Sequence, residues 1–357
     1  MSIDTQNKSI KTNVILILTP FHIVQFNKVK NEIIYHSDFN IIFHNKKSGN
    51  FDEEIKRNAE FNLLPDIEFN FFEILYNPIK IFHYRSVIRQ LRKYFIKHLS
   101  QLQRTKSSSL IVFSFHGIVP QILRTETQKF NPTIYEIEEG LSYYYKYSWL
   151  DKLLSVLYDI FTPLLLNYKL DYRGNPGRNK TTHIVYARFP DLLPDKNKSI
   201  TYKKIRTPKP SLYNSEENDK RILIFTSPFS EYKLLSIEKE RDVLRKILNI
   251  TRDMEYITHI KFHPRENKSK YTDILKDEIL LEQSIDAEKI DYHKYNKIIH
   301  FGSSVILDLF EKEFLRKHII SIKIARFSNN IKSFLNQTYC IDYNKDFKYS
   351  LAKALDN

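Results

Sequence analysis

The chain has 357 residues, enough for two domains of roughly 150 residues each rather than one small core. Hydrophobic residues make up 42% and aromatic residues 14%, which excludes wholesale disorder. The formal net charge of +14 points to an anionic partner (a substrate, a membrane surface or nucleic acid), or to nothing more than a Lys- and Asn-rich composition. Nucleic acid fits worst, because there is no Gly-rich aromatic RNA-binding signature, no zinc-finger spacing, and the lysines are scattered. The single cysteine, Cys340, allows no intrachain disulfide and suits a reducing compartment, or a protein that never relied on disulfides. The apolar run VILIL is too short for the core of a signal peptide, and no run of about 18 apolar residues is present to span a bilayer.

Short apolar, β-branched runs alternate with amphipathic stretches. VILIL (14–18), FNIIF (39–43), LIVF (110–113), TIYEI (133–137) and HIVYA (183–187) read as buried strands. FDEEIKRNAEF (51–61), the stretch 85–104 and VPQILRTE (119–126) read as the helices between them. In 85–104, Arg85, Arg89, Arg92, Lys93 and Lys97 form one side and Ile88, Leu91, Phe95, Leu99 and Leu102 the other. That side is either a solvated basic face or a contact for an anionic membrane. Residues 143–170, rich in Tyr and Leu and holding the only tryptophan, Trp149, read as a buried helix, with a dimer contact or a membrane patch as the competitor. A polar, Pro-containing join at 195–220 interrupts the rhythm, which then resumes. ILIF (222–225), THIKF (258–262), IIHF (298–301) and HIISIKI (318–324) are strands there, separated by helices in LSIEKERDVLRKILNI and VILDLFEKEFL. Strand–helix alternation predicts parallel sheets covered on both faces, and two such series predict two Rossmann-like α/β domains, 1–200 and 218–357, facing a central cleft.

Six glycines are present, and three follow directly on predicted strands: Gly117 after His116 in SFHG, Gly140 in EIEEG and Gly302 in HFGSS. A glycine at the carboxyl end of a parallel strand lets a ligand approach the backbone, and that edge is where open sheets bind ligands. Gly49, Gly174 and Gly177 read as surface turns. Glu138 and Glu139 close a strand, so at least one points into the crevice; it is a base for a sugar hydroxyl or one of an ordinary solvated acid pair. In HIKFHPRE, Pro264 holds His263 extended at a strand tip, where an imidazole can serve a phosphate, with Lys261 and Arg265 adding positive charge. In HFGSSVILDLF, Ser303 and Ser304 start a helix, either as plain caps or as part of an anion site. No Walker A, HExxH, paired CxxC, GxSxG or DxD sequence is present, and Glu136 with Glu138 lacks a third ligand, so no metal or other cofactor is expected.

The acidic-acidic-glycine motif at 138–140, the His263-Pro264 pair, the Ser303-Ser304 pair and the opening Thr19-Pro20-Phe21-His22 together resemble bacterial sialyltransferases, the lipooligosaccharide and capsular polysialyltransferase families. The resemblance spans roughly residues 14 to 310. It implies a GT-B fold, a first domain on the acceptor side, a second that binds the nucleotide sugar, and CMP-sialic acid as donor. A glycan acceptor of lipooligosaccharide or capsule and metal-free inversion by single displacement are implied as well. By the same likeness Glu138 is the general base, His263 stabilises or protonates the departing phosphate, and Ser303 and Ser304 hold that phosphate at the turn of Gly302. Lys261 and Pro264 lie against the nucleotide, and Glu288 binds its ribose. Glu139, Gly140, Thr19, Pro20, His22, His116 and Gly117 line the cleft. Glu-Glu stands where the family has pairs containing Asp, so which of Glu138 and Glu139 does the work stays open. The location implied is the bacterial cytoplasm, peripherally on the anionic inner membrane. HPRE with FGSS is also similar to CDP-glycerol-dependent teichoic acid polymerases. A CMP-Kdo donor and a non-catalytic capsule-assembly protein are the remaining alternatives.

Overall fold

The computed structural model describes residues 11–356 except 34–37, 47–50, 52–55, 57–58, 66, 68–73, 75–76, 78, 106, 116, 172–175, 206–219, 284, 286, 288–289, 304, 312–317, 325–334, 336 and 345. The chain divides into two compact units, Met1–Thr207 and Pro208–Asn357. The first unit holds β1 (Lys11–Ile17), β2 (Phe39–His44), β3 (Ala59–Leu63), β4 (Ser107–Val112), β5 (Thr133–Ile137), β6 (Ile184–Ala187) and β7 (Thr201–Lys204). They form one all-parallel sheet in the order β3-β2-β1-β4-β5-β6-β7. The two-residue period of the strands divides the core. Val14, Leu16, Ile41, Phe43, Leu110 and Val112 pack on α2 (Ile79–Leu99) and α3 (Ile118–Gln128). Ile15, Ile17, Ile42, Ile111 and Phe113 pack on α1 (Pro20–Ile33). With both faces covered, the strands read as continuous apolar runs rather than alternating ones.

The second unit repeats the plan. Its strands are β8 (Arg221–Phe225), β9 (Ile257–Lys261), β10 (Ile279–Leu281), β11 (Lys297–His300), β12 (Ile319–Lys323) and β13 (Tyr339–Asp342), all parallel, in the order β10-β9-β8-β11-β12-β13. One face carries α5 (Ile237–Asp253) and α7 (Phe347–Asp356), and the other receives Val305 and Leu309 around α6 (Ile306–Glu311). Helix α4 (Trp149–Leu166) belongs to the first unit.

Several expectations are corrected. Part of the stretch read as a helix over 51–61 is the edge strand β3, whose Leu63 and Phe61 are exposed. Strand β7 lies inside the stretch read as a polar join and is almost wholly exposed, so no apolar run marks it. Helix α4 is not buried: its apolar side faces outward, whereas Asp151, Thr162 and Leu166 are its buried residues. Of the basic side chains on α2, Arg85 donates to the Leu165 carbonyl (2.9 Å) and Arg92 to Glu126 (2.6 Å), while Arg89, Lys93 and Lys97 are exposed.

Gly177 is buried rather than in a surface turn, and Gly49 and Gly174 lie outside the described residues. Its φ of +67° is a left-handed conformation, and a Cβ there would meet Tyr143 Cδ1 at 2.9 Å. Tyr143 cannot swing away freely, since its hydroxyl donates to Glu136 Oε1 (2.9 Å) and contacts the Ile137 carbonyl (3.0 Å). Gly117 (φ +89°) would carry the same backbone strain, but a Cβ there meets nothing within 4 Å. Gly177→Ala is therefore expected to destabilise the first unit by about 2–4 kcal/mol, strain and overpacking together, and Gly117→Ala by about 1–2 kcal/mol. Urea unfolding of the two variants side by side checks the order.

Candidate functional site

In the first unit the strand order places the ends of β1, β4 and β5 side by side at one edge of the sheet, and the chain reverses direction across β1 and β4. Three motifs leave from that edge. After β1, Thr19 accepts the His22 N–H through its hydroxyl (3.3 Å) and its carbonyl (3.1 Å), and Pro20 opens α1. Pro at the first helical position costs no hydrogen bond, since that N–H has no partner inside the helix. His22 Nδ1 accepts the N–H of Leu18 (3.1 Å), and the ring stacks on Phe113 at 4.2 Å between centroids. With Nδ1 an acceptor, the proton of the neutral ring sits on Nε2, which lies 3.5 Å from Glu139 Oε1. The Glu139 side chain is 39% exposed and the His22 side chain 4%. Gly140 is buried, Gly117 is exposed at the start of α3, and His116 lies outside the described residues.

Glu138 is placed quite differently. It is fully buried, its Oε1 takes Arg188 Nε at 2.7 Å, and its Oε2 takes the Arg188 backbone N–H at 2.7 Å. The Tyr144 hydroxyl also donates to Oε2. Burial, then the Glu138 charge, pushes the Tyr144 phenol well above its ordinary pKa, so it stays a donor. Arg188 follows β6, which pairs with β5 at Ile137 and Tyr186, so the two residues meet just past the strand ends. The sequence reading missed Arg188 and Tyr144; an arginine closing an apolar strand beside an acid-tipped strand is the available signal. Two residues earlier, Glu136 is buried among Tyr143, the Gly177 N–H (2.9 Å) and the Thr182 hydroxyl (3.0 Å). Burial raises its carboxyl to about 7 against those donors and Arg124. Elsewhere in this unit a hollow of about 840 Å³ opens at the ends of β2 and β3, lined by Asn45, Lys46, Leu64, Pro65, Gln90 and Tyr94 among others.

In the second unit β9 ends in the HPRE turn. Glu266 fixes it from below: its Oε2 accepts the His263 N–H (3.2 Å) and the Thr226 hydroxyl, and its Oε1 accepts the Tyr271 hydroxyl (2.6 Å). Burial raises the Glu266 carboxyl, and Lys270 lies 3.4 Å from it while also pairing with Glu240 at 2.8 Å. Gln283 closes the other side by donating to the carbonyls of His263 and Glu266, both at 3.0 Å. His263 Nδ1 accepts the Arg265 N–H (3.1 Å), which again leaves the proton of the neutral ring on Nε2. Burial, then Arg265 and Lys261, lowers its pKa, so the ring is neutral at pH 7. Pro264 is exposed. Lys261 is buried, and its ammonium donates to the Gln283 carbonyl (3.0 Å). Glu288 and Ser304 lie outside the described residues.

The HFGSS turn rests on His300, which sequence reasoning treated only as part of a strand. His300 is fully buried; Nδ1 accepts the Gly302 N–H (3.0 Å), so Nε2 donates to Ser321 Oγ (2.6 Å). Thr338 Oγ1, 2.7 Å from Ser321, donates in turn to the Leu335 carbonyl (2.8 Å), which orients the whole chain of hydroxyls. Ser303 accepts the Val305 N–H at 3.4 Å and is half-buried. Burial depresses the His300 pKa to about 3, against about 6.5 in an unfolded chain. Between those values the unfolded chain binds a proton that the folded one refuses. This contribution is therefore complete above about pH 6.5 and lost as pH falls toward 3, at up to about 1.4 kcal/mol per pH unit. His300→Asn, which cannot titrate, is expected to flatten the fall in unfolding free energy between pH 6.5 and 4.5, measured by urea titration.

The sequence model of the family described as alpha-2,8-polysialyltransferase (POLYST) matches residues 10–309. Among curated proteins no sequence matches the chain. The fold is similar to that of the calicheamicin glycosyltransferase CalG4, with a TM-score of 0.56 and 11% identity over 97% of this chain and 89% of that one. It is also similar to the glycotransferase of kitacinnamycin (TM-score 0.55, 9% identity, 98% and 90% covered). A putative UDP-N-acetylglucosamine 2-epimerase from Listeria monocytogenes is as near (TM-score 0.55, 11% identity, 98% and 88% covered). At these identities the structures establish the fold, which is GT-B, and the family match establishes the kind of enzyme. The chain belongs to the alpha-2,8-polysialyltransferase family and is a glycosyltransferase of the sialyltransferase type.

Proposed function

We propose that the protein transfers sialic acid from CMP-sialic acid to a hydroxyl of a cell-surface glycan, without a metal. The family's description favours a growing α2,8-linked polysialic acid chain, as in a capsule, as that acceptor. In the step, the acceptor oxygen forms a bond to the anomeric carbon while the bond from that carbon to the phosphate oxygen breaks. CMP leaves with the electron pair, configuration inverts, and the hydroxyl proton passes to a carboxylate. Glu139 is that carboxylate. The observation that carries this choice is the contrast within the pair: Glu138 is fully buried with both oxygens taken, whereas Glu139 reaches solvent beside His22. His22 then acts as a positioning residue for Glu139. The hollow at the ends of β2 and β3 offers the non-reacting sugars a place on the same sheet edge.

On the second unit, the reading gives His263 Nε2–H and the Ser303 turn to the departing phosphate, where fixed donors supply the stabilisation that other transferases take from a metal. The net charge of +14 favours an anionic donor, and it also favours work against the anionic inner membrane from the cytoplasmic side.

Glu139→Gln is expected to lower kcat by about a hundredfold or more with an unchanged melting temperature, measured as CMP release. Glu138→Gln is expected to act on stability instead, because it leaves Arg188 buried beside a neutral amide; a loss of about 3–5 kcal/mol is the scale. Normal turnover in Glu139→Gln, with turnover lost in a fully stable Glu138→Gln, would reverse the two roles. His263→Ala is expected to lose turnover while keeping its fold, and EDTA to leave the wild-type rate unchanged. In a thermal-shift series CMP is expected to stabilise the protein above CDP and UDP, and CDP-glycerol turnover would hand the site to the polymerase reading.

A further inference from the structure

Helix α4 has its amphipathicity turned outward. Trp149, Leu153, Val156, Ile160 and Leu164 recur at spacings of four, three, four and four, so they form one stripe along the helix. They are 77%, 47%, 54%, 56% and 68% exposed. The inward side mixes polar Asp151 and Thr162 with Leu166, and Tyr158 and Leu165 pack beside them on the core. Ser148 and Asp151 close a capping box, and Thr162 donates to the Tyr158 carbonyl (2.7 Å) and accepts the Leu170 N–H (3.0 Å). Leu166, with Tyr158 and Leu165 packed beside it, seats this side on the core of the unit. Arg85 of α2 reaches the carbonyls of Leu165 (2.9 Å) and Leu164 (3.5 Å), joining the two helices. Three and six residues before Arg85, Phe82 and Ile79 are also exposed, by 71% and 77%. Farther along α2, Arg89, Lys93 and Lys97 stand exposed in a row, and α2 contains six Lys and Arg residues and no Asp or Glu.

We infer that the α4 stripe, with the basic row of α2, is the surface by which the protein lies on an anionic lipid bilayer. This rests on the proposed work at an anionic membrane and names the part of the chain that makes it. The apolar stripe suits insertion to the acyl boundary, a tryptophan at one end suits the headgroup level, and the cations suit anionic lipid. A second copy fits less well. The seven apolar side chains named, five on α4 and two on α2, fall short of the roughly 20–30 residues a side of a stable interface, and a partner would bring a second set of α2 cations to it. No helix among the described residues is long and apolar enough to cross a membrane, so α4 lies in the interface.

The test uses the full chain and two kinds of vesicle, phosphatidylglycerol mixed with phosphatidylethanolamine, and phosphatidylcholine alone. Wild type is expected to co-sediment with the first and weakly with the second. The double variant Leu153→Glu, Ile160→Glu is expected to weaken binding by about tenfold or more, since two buried aliphatic side chains are lost. Arg89→Gln with Lys93→Gln is expected to erase the preference for the anionic vesicle. Both variants change exposed positions, and an unchanged thermal transition verifies their folding. Wild type that ignores vesicles, or a stripe variant that binds as wild type does, overturns the inference. So does a wild-type dimer, seen by light scattering, that the stripe variant splits without any vesicle binding. CMP release with a soluble glycan acceptor runs in parallel. Turnover without vesicle binding sinks the surface alone, and vesicle binding through the stripe without turnover sinks the catalytic reading alone.

Discussion

A carboxylate taken wholly out of water must have its charge met by fixed donors, and at the end of β5 that requirement falls on Glu138. Arg188 meets it with both its backbone N–H and its guanidinium, and Tyr144 adds a hydroxyl. The pair exists because β5 and β6 are parallel neighbours in a register that brings the residues past their ends together. The Glu138 N–H continues the ladder to the Tyr186 carbonyl at 2.8 Å. Side chains alternate along extended backbone, so fixing Glu138 inward turns Glu139 the other way. On that side the first turn of α1, just after β1, supplies His22, itself immobilised by Leu18 and Phe113. The position of the reachable carboxylate is thus a consequence of how its neighbour is buried.

The second unit solves the same problem twice. Under the HPRE turn, Glu266 collects donors from β8's end, from His263 and from Tyr271, and Lys270 balances the carboxylates around it. Under the FGSS turn, a neutral histidine ties Gly302 to a chain of hydroxyls. Fully satisfied polar networks of this kind specify one loop conformation, since any other leaves buried groups unpaired. The networks below the two turns hold them in place.

Much of this organisation is legible in the sequence, for physical reasons that also mark the limits. The central strands announce themselves because both faces are covered, so VILIL and the ILIF run appear as unbroken apolar segments. The edge strands do not. In β7 three of four residues are exposed, and β10 and β13 are short and half-covered. Ala59–Leu63 follows an acidic stretch with helical composition, and only pairing with β2 makes it a strand. The acid pair, the HP pair and the HFGSS turn are visible as motifs, but nothing local says which glutamate is buried. That depends on Arg188, 50 residues away. In α4 the composition is plainly apolar and the periodicity plainly helical. The side that meets the core carries Asp151, Thr162 and Leu166, with Tyr158 and Leu165 packed beside them, and no local pattern marks it.

The same pair of parallel sheets is found in glycosyltransferases and in a putative sugar-nucleotide epimerase, so the sheets alone do not name a reaction. What distinguishes one such protein from another is the handful of side chains standing past the strand ends, and here those side chains divide into two kinds. Glu138, Glu136, Glu266 and His300 have their polar atoms consumed by the protein itself. Glu139 and His263 are held in place by neighbours yet are not enclosed by them. Titratable residues are conspicuous in both sets, and burial with satisfied partners is what separates an enclosed group from one that solvent reaches. Adjacent positions such as Glu138 and Glu139 therefore differ in burial and in partners, one enclosed with Arg188 and the other beside His22 and reached by solvent, although the sequence writes them as a matched pair.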